Sequence, residues 1–392
     1  MRVAALLALA LVASACQRTP PPSPPPPPVD PLVARIDAAL EKSVAFLVAH
    51  QDKDGAFRST QYAAFKDGRA VSPMVLSALL FLPTSPERSA AYQRGVDFVA
   101  SIVDATGQVI GPLDYPVYST AGALLVLSVP RNARHDAKKA PLIAYLRARQ
   151  LNEANGWTPA DVEYGGWGYW PDIPKRPKDG EPRDELLGST LSSTLFAVGA
   201  LSLAGVAAND PALIAARSFL ARCRAQDGGF FLTPSNPVAN KAGAIEGDGF
   251  AGYGSATADA ARLMLRLRVP QSDPLLAGAK GWLASHVDGA HQSGAFPAAQ
   301  QFAKDGSRFY SAWTQAHALL QLGQRDIGAP PRPWPAVFAE ELMAEQRPDG
   351  SFQNTATDLR EDDLLVATPL AAAALALARA AHTATPVTMT PP

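Results

Sequence analysis

One short pattern, a turn in which glycine is followed closely by an aromatic residue, recurs along most of this 392-residue chain. Each copy separates a stretch with apolar residues at helical spacing from a stretch rich in Ala and Leu. Glycine accepts the positive φ that ends a helix, and the aromatic ring can be buried against both flanking helices. The marker glycines are Gly55, Gly107, Gly166, Gly228, Gly294 and Gly350. Their intervals of 52, 59, 62, 66 and 56 residues each accommodate one helical hairpin.

The two helices of each hairpin differ in polarity. The first carries a single apolar face, as at Ile36, Leu40 and Val44, whereas the second is apolar on most faces and must be surrounded by protein. Most of the second helices have Ser at or near the start, which indicates N-caps. The second helices are predicted at 72–82, 119–127, 189–203, 255–267, 311–322 and 364–381.

These features predict an all-α fold, an α6/α6 toroid of about six hairpins over residues 32–382, with the second helices inside. The run 364–377 is apolar, but it is short and contains Pro369, so we interpret it as a core helix and not a membrane span. Residues 383–392 are predicted to be a disordered tail. With 35 Lys and Arg against 36 Asp and Glu, the chain has no basic surface for a nucleic-acid partner.

The N-terminus is typical of an exported protein. Residues 1–15 have the basic, apolar and small-residue regions of a signal peptide, and Cys16 follows directly, as in a bacterial lipobox. We expect a lipidated Cys16 and a proline-rich tether over 16–31, with eight prolines between Pro20 and Pro28. Gln17 after the cysteine favours the outer membrane, facing the periplasm; simple secretion is the alternative.

The Gln-x-x-x-Gly-aromatic turns and the alternation of outer and inner helices resemble the prenyltransferase and squalene-cyclase repeat family over about 350 residues. Three segments look like signatures of uncharacterised, lipoprotein-type bacterial members of that family: Tyr-Gly-Gly-Trp-Gly-Tyr at 164–169, Gly-Tyr-Gly-Ser-Ala-Thr at 252–257 and Asp-Asp-Leu-Leu-Val-Ala-Thr at 362–368. The resemblance implies a central cavity whose mouth lies at the N-termini of the inner helices.

The family's catalytic motifs are incomplete in this chain. The Asp-x-Asp-Asp acid motif of squalene cyclases corresponds to Arg360-Glu361-Asp362-Asp363, in which the arginine favours ionised carboxylates over a proton-donating acid. Asp362 and Asp363 are therefore candidates for catalysis, for helix capping or for ligand binding. Cys223 lies on the apolar face of an outer helix, and residues 365–368 contain no histidine where the resemblance places the ligand His, so the zinc set of protein prenyltransferases is missing; we predict no metal and no cofactor.

Aromatic and polar residues near the predicted mouth are candidates for ligand binding, although Trp167 also suits a packing role in its turn. The segment 171–185 suits either a lid or a surface insertion. The candidate ligand-binding residues are Trp167, Tyr169, Trp170, Asp248, Tyr253, Ser255, Asp259, Tyr310 and Trp313.

Three functions remain open from the sequence. The first is a membrane-tethered toroid that binds a small-molecule, isoprenoid-like or peptide ligand, or a protein, in its cavity. The second is a terpene-cyclase or prenyl-transfer enzyme with an altered acid motif, and the third is a carbohydrate-active α6/α6 enzyme with paired carboxylates. Fold cannot choose among them, and the sequence leaves open whether any reaction is catalysed.

Overall fold

The computed structural model describes residues 30–104, 109, 115–246, 249–356 and 359–383. The predicted signal peptide, Cys16, nearly all of the tether and residues 384–392 of the tail lie outside this part of the chain. Helices dominate the described residues, together with two small antiparallel sheets. The helices are α1 (Pro31–Ala49), α2 (Val71–Leu79), α3 (Pro86–Ala100), α4 (Pro116–Leu127), α5 (Lys139–Ala148), α6 (Leu191–Leu203), α7 (Pro211–Arg222), α8 (Gly254–Arg266), α9 (Pro274–His286), α10 (Gln301–Asp305), α11 (Arg308–Gln321), α12 (Trp334–Glu345) and α13 (Leu364–His382). Strand β1 (Trp167–Gly168) pairs with β2 (Ser189–Thr190), and β3 (Asp326–Ile327) pairs with β4 (Arg332–Pro333).

Helix contacts follow a closed circuit. In order, α2, α4, α6, α8, α11 and α13 each contact the next, and α13 contacts α2 again. We call these the ring helices; they coincide, within a few residues, with the predicted apolar helices. Helices α1, α3, α5, α7, α9 and α12 each pack against at least one ring helix. The chain is therefore a helical toroid, as predicted.

We call α1, α3, α5, α7, α9 and α12 the outer helices. Glutamines in the turns hold neighbouring outer helices together. The side-chain amides of Gln51, Gln150 and Gln346 each donate to the carbonyl of the turn glycine four or more residues on, and to a carbonyl of the next outer helix. For Gln346 the second acceptor is Ala39 of α1, at 2.8 Å, and Ser43 of α1 donates to the Gly350 carbonyl at 2.8 Å. The last turn is thus bonded to the first helix, which closes the circuit.

In four of the turns, the aromatic residue is fixed by the ring helix that follows. The amide N–H of the turn aromatic donates to a Ser or Thr hydroxyl inside that helix, at 2.8 to 3.1 Å in the four described cases. The pairs are Phe57 with Ser72, Trp167 with Thr194, Phe230 with Thr257 and Phe352 with Thr368. These hydroxyls satisfy buried amides that would otherwise lack a partner.

The prediction that serines cap the ring helices is wrong. Of the six ring helices, only α6 and α13 are capped by the side chain of their own N-cap residue, Thr190 and Asp363. Ser72 and Ser255 lie one residue inside their helices, and Ser72 accepts the turn amide instead. A polar residue does lie near the start of these helices, but its hydrogen-bond partner is an amide of the preceding turn.

Helix α13 is long and apolar enough to cross a bilayer by length and composition. In the toroid, 72% of its most apolar window is buried, and it contacts α1, α2, α11 and α12. These contacts are those of a core helix, which agrees with the interpretation made from its Pro369 and its length.

Candidate functional site

The ring helices surround a cavity of about 870 Å³, to which all six contribute lining residues. Its wall is largely apolar, and four aromatic rings in it touch in succession. Tyr169 stacks on Tyr118 with centroids 5.9 Å apart, Tyr118 meets Phe196 at 4.9 Å, and Phe196 meets Trp313 at 5.9 Å. These rings offer π faces and apolar area to a ligand.

Helix α8 contributes a row of polar side chains to the wall. Ser255, Asp259, Arg262 and Arg266 are spaced four, three and four residues apart, so they share one helix face, and all four line the cavity. Asp259 is 2% exposed, and its carboxylate accepts hydrogen bonds from the hydroxyls of Tyr310, at 2.7 Å, and Thr314.

Arg262 completes this buried polar group. Its guanidinium donates to the Thr314 hydroxyl at 2.8 Å, lies 3.6 Å from the Asp259 carboxylate and sits 4.2 Å from the centroid of the Trp313 ring. Burial raises the pKa of Asp259, while Arg262 and the two hydroxyls oppose that shift. Burial also lowers the pKa of Arg262 to about 10, against the attraction of Asp259. The pairing of Asp259 with Arg262 and the two hydroxyls therefore offsets part of the cost of burying both charged groups.

Glu361 lies at the N-terminus of α11. It is fully buried and accepts hydrogen bonds from the amides of Phe309, at 2.9 Å, and Tyr310, at 2.7 Å, and from the Asn354 side chain at 3.2 Å. Burial raises the pKa of Glu361, against these donors. Its oxygens are thus engaged in capping a helix, as expected for an acid at the positive end of a helix dipole.

Arg360 lies on the cavity wall beside Glu361, with a positive φ of 59°. Its guanidinium is 4.9 Å from the centroid of the Tyr62 ring and 5.4 Å from those of Phe65 and Tyr115. These cation–π contacts fix the segment before α13 across the ends of the ring helices.

Asp362 and Asp363, the sequence candidates for catalysis, are not among the lining residues of the cavity. Asp363 caps α13 by accepting a hydrogen bond from the Leu365 amide at 2.9 Å. Asp362 accepts from the Tyr62 hydroxyl, at 2.7 Å, and from the Gln61 side chain. The acid that does reach the cavity from a ring helix is Asp259.

The other candidates divide into those that line the cavity and those that pack elsewhere. Trp167 is fully buried and donates to the Leu146 carbonyl at 2.8 Å, outside the lining, as suits its packing role. Trp170 packs against a small separate core, and Asp248 lies outside the described residues. The segment 171–185 contributes no lining residue, and its Pro174 carbonyl accepts from Trp157 at 2.6 Å. The structure brings together Tyr169, Tyr253, Ser255, Asp259, Tyr310 and Trp313.

Sequence reasoning missed several lining residues, most importantly Arg262, Arg266 and His317. A signal was present: Tyr310, Trp313 and His317 recur at helical spacing on α11, as do Asp259 and Arg262 on α8. Cys223 is buried in the core, and burial raises its pKa. Across the described residues, no three His, Cys, Asp or Glu side chains are grouped as metal ligands.

No protein-family model matches this chain, and no curated protein matches it. Solved structures do. A protein from Actinoplanes aligns with a TM-score of 0.57 and 18% identity, over 89% of this chain and 99% of its own. A variant of the type II terpene cyclase MstE from Scytonema, in complex with its substrate geranylgeranyl dihydroxybenzoate, aligns with a TM-score of 0.58 and 14% identity, over 90% and 99%.

A wild-type glycosidase aligns with a TM-score of 0.50 and 13% identity, over 90% of this chain and 98% of its own. At these identities the likeness concerns the fold alone. The comparisons therefore agree with the helix contacts: the chain has a helical toroid fold similar to those of these structures.

Proposed function

We propose that this protein binds an apolar, isoprenoid-like small molecule in its central cavity. The observation that carries the proposal is the cavity itself, about 870 Å³ in volume, with a largely apolar wall in which aromatic rings touch one another. That volume is within the range of about 300–1,000 Å³ typical of small-molecule sites. The proposal uses the toroid as an α6/α6 barrel of six hairpins around a shared lumen.

The carboxylates weigh against the carbohydrate-active alternative. Paired acids on either side of a sugar are required for glycoside hydrolysis. Among the described lining residues only Asp259 and Glu361 carry carboxylates, and Glu361 is held by two backbone amides. Two acids that are each already engaged by other groups of the protein do not form the free pair that glycoside hydrolysis requires.

Trp313 provides a direct test because it lies in the cavity wall. Titration with geranylgeraniol is expected to quench tryptophan fluorescence in the wild type. Trp313→Phe should lose most of that change, while Trp334→Phe, at a fully buried position outside the lining, should keep it. Maltotriose serves as the carbohydrate probe. Quenching by maltotriose and not by geranylgeraniol would contradict the proposal, as would equal quenching in the two variants.

Recovery from the native host identifies the ligand itself. The full-length protein is purified without added lipid, denatured in organic solvent and examined by mass spectrometry. An apolar compound recovered from the wild type and depleted in Trp313→Ala supports the proposal. Recovery of the same compounds from both proteins in equal amount opposes it.

A second candidate function is acid-initiated cyclisation of an isoprenoid, and the buried Asp259 favours it. A carboxyl whose pKa is raised by burial is the type of group that can hold a proton for transfer to an alkene. Asp362 and Asp363 remain the alternative acids proposed from the sequence. Incubation with squalene and with geranylgeraniol in D₂O tests this function, because a cyclised product would carry deuterium from the solvent. Loss of product in Asp259→Asn but not in Asp362→Asn would assign the acid; absence of deuterated product in the wild type would eliminate this candidate.

The location belongs to the same proposal: the toroid is anchored by a lipid on Cys16 to the outer membrane, on its periplasmic side. The support is the signal-like sequence of residues 1–15 and the proline-rich segment that follows. In Cys16→Ser the protein is expected to move from the membrane fraction to the soluble fraction. Unchanged membrane partition would refute anchoring, and a soluble wild type would instead support simple secretion.

A further inference from the structure

His317 is a buried polar side chain without a hydrogen-bond partner. It lies on α11, lines the cavity and is 3% exposed, and neither ring nitrogen has a partner among the described residues. Its neighbours include the rings of Phe81 and Trp313, with centroids 5.9 and 6.1 Å away. Buried polar groups are nearly always satisfied, so an unsatisfied imidazole that faces a cavity indicates a missing partner.

Arg266 is a charged group of the cavity wall that has no ion-pair partner among the described residues. It ends α8, lines the cavity and is largely buried, and burial lowers its pKa. No carboxylate in the described part of the chain forms an ion pair or hydrogen bond with it. The charged groups that act on His317 are Arg262 and Arg266, and both repel a proton on its imidazole.

The cavity wall as described carries more positive than negative charge. Its described acids, Asp259 and Glu361, are already engaged, by Arg262 and two hydroxyls and by the amides at the start of α11. Arg266 therefore has no counter-charge within the wall. The cationic lining residues are Arg131, Lys241, Arg262, Arg266 and Arg360.

We propose that Arg266 and His317 form an oxyanion-binding subsite, so that the ligand is an acidic amphiphile whose carboxylate or phosphate meets these two side chains. This inference rests on the proposed function, because the apolar tail of the amphiphile occupies the aromatic cavity. The guanidinium supplies paired N–H donors, and the neutral imidazole supplies one N–H donor. The bound oxyanion satisfies the imidazole and balances the charge of Arg266.

Matched pairs of ligands separate the headgroup from the tail. Palmitic acid is compared with 1-hexadecanol, and geranylgeranyl monophosphate with geranylgeraniol, by displacement of a fluorescent apolar dye from the full-length protein. We expect the acid of at least one pair to bind about tenfold or more tightly than its alcohol, the size of one charge-assisted hydrogen bond. The pair that shows the preference distinguishes a carboxylate from a phosphate headgroup.

Variants assign that preference to residues. Arg266→Gln is expected to reduce the acid-to-alcohol ratio to below about threefold, because it weakens binding of the acid more than binding of the alcohol. His317→Leu should reduce the ratio in part, and Arg268→Gln, an exposed position two residues beyond Arg266, should leave it unchanged. Circular dichroism confirms that each variant is folded, and His317→Gln replaces His317→Leu if the latter is not.

The outcomes are distinct from those of the proposed function. Binding of alcohols without any preference for acids refutes the oxyanion subsite and leaves the proposed function standing. Equal weakening of acid and alcohol by Arg266→Gln also refutes it, because that result indicates packing and not charge. Absence of binding by every probe refutes the proposed function.

Discussion

Replacing Gly350 by alanine tests how the toroid is closed. Gly350 has φ +87°, and an added Cβ would overlap the backbone carbonyl of Lys42 in α1. Gly228 occupies the same position in another turn, with φ +88°, but the nearest atom to its added Cβ is the Gly278 carbonyl oxygen, 3.9 Å away. The two substitutions share the conformational strain and differ in the collision with the neighbouring helix.

The magnitudes follow from that difference. Holding alanine at positive φ costs about 1–2 kcal/mol in either turn. At Gly350 the turn must also move away from α1, which weakens the bonds from Gln346 to Ala39 and from Ser43 to Gly350, each contributing about 0.5–1.5 kcal/mol. We therefore expect Gly350→Ala to lose about 1–3 kcal/mol more free energy of unfolding than Gly228→Ala.

Urea unfolding followed by far-UV circular dichroism measures both variants against the wild type. The expected result is a lower midpoint for both, with the larger shift for Gly350→Ala. Equal shifts would refute the reasoning, because they would show that contact between the last turn and α1 contributes nothing beyond the backbone strain.

Two further predictions concern buried polar groups. In Thr257→Val the buried amide of Phe230 loses its acceptor, so the free energy of unfolding should fall by about 1–3 kcal/mol in urea unfolding, whereas Thr257→Ser, which keeps the hydroxyl, should stay near the wild type. Burial, with Arg262 and Arg266, lowers the pKa of His317 well below its usual 6.5. Below about pH 6.5 the unfolded chain therefore binds a proton that the folded chain does not. As the pH decreases further, the free energy of unfolding falls by up to about 1.4 kcal/mol per pH unit. His317→Leu should be more stable at pH 5 and flatten this dependence; parallel pH profiles for the two proteins would contradict it.

The ring helices could be predicted because their sequence signal is strong. A helix that is apolar on nearly every face has to be enclosed, and the glycine-aromatic turns mark where each hairpin bends. The role of the serines could not be predicted, since Ser72 satisfies an amide fifteen residues earlier and its preference for helix starts is only local. The local preference of serine for helix starts does not reveal which other segment of the chain will supply its hydrogen-bond partner.

The cavity lining was predictable where a residue lies close to the start of a ring helix, as for Tyr253, Ser255 and Tyr310, and for Asp259 one turn after Ser255. It was not predictable where charge entered the lumen from the middle or end of a helix expected to be apolar, as for Arg262 and Arg266. The order of residues also could not show that Asp362 and Asp363 turn away from the cavity while the neighbouring Glu361 enters it. That outcome depends on the path of the loop, which is set by the contacts of Arg360 with three rings.

The two ends of the described chain meet. Asp30, just before α1, lies 3.0 Å from the His382 imidazole at the end of α13, and Asp37 pairs with Arg379 nearby. Since neighbouring ends permit circular permutation, a short peptide could join them and new termini could be opened between α6 and α7. Such a permutant would enclose the same cavity, with its chain ends between α6 and α7 and not between α13 and α1.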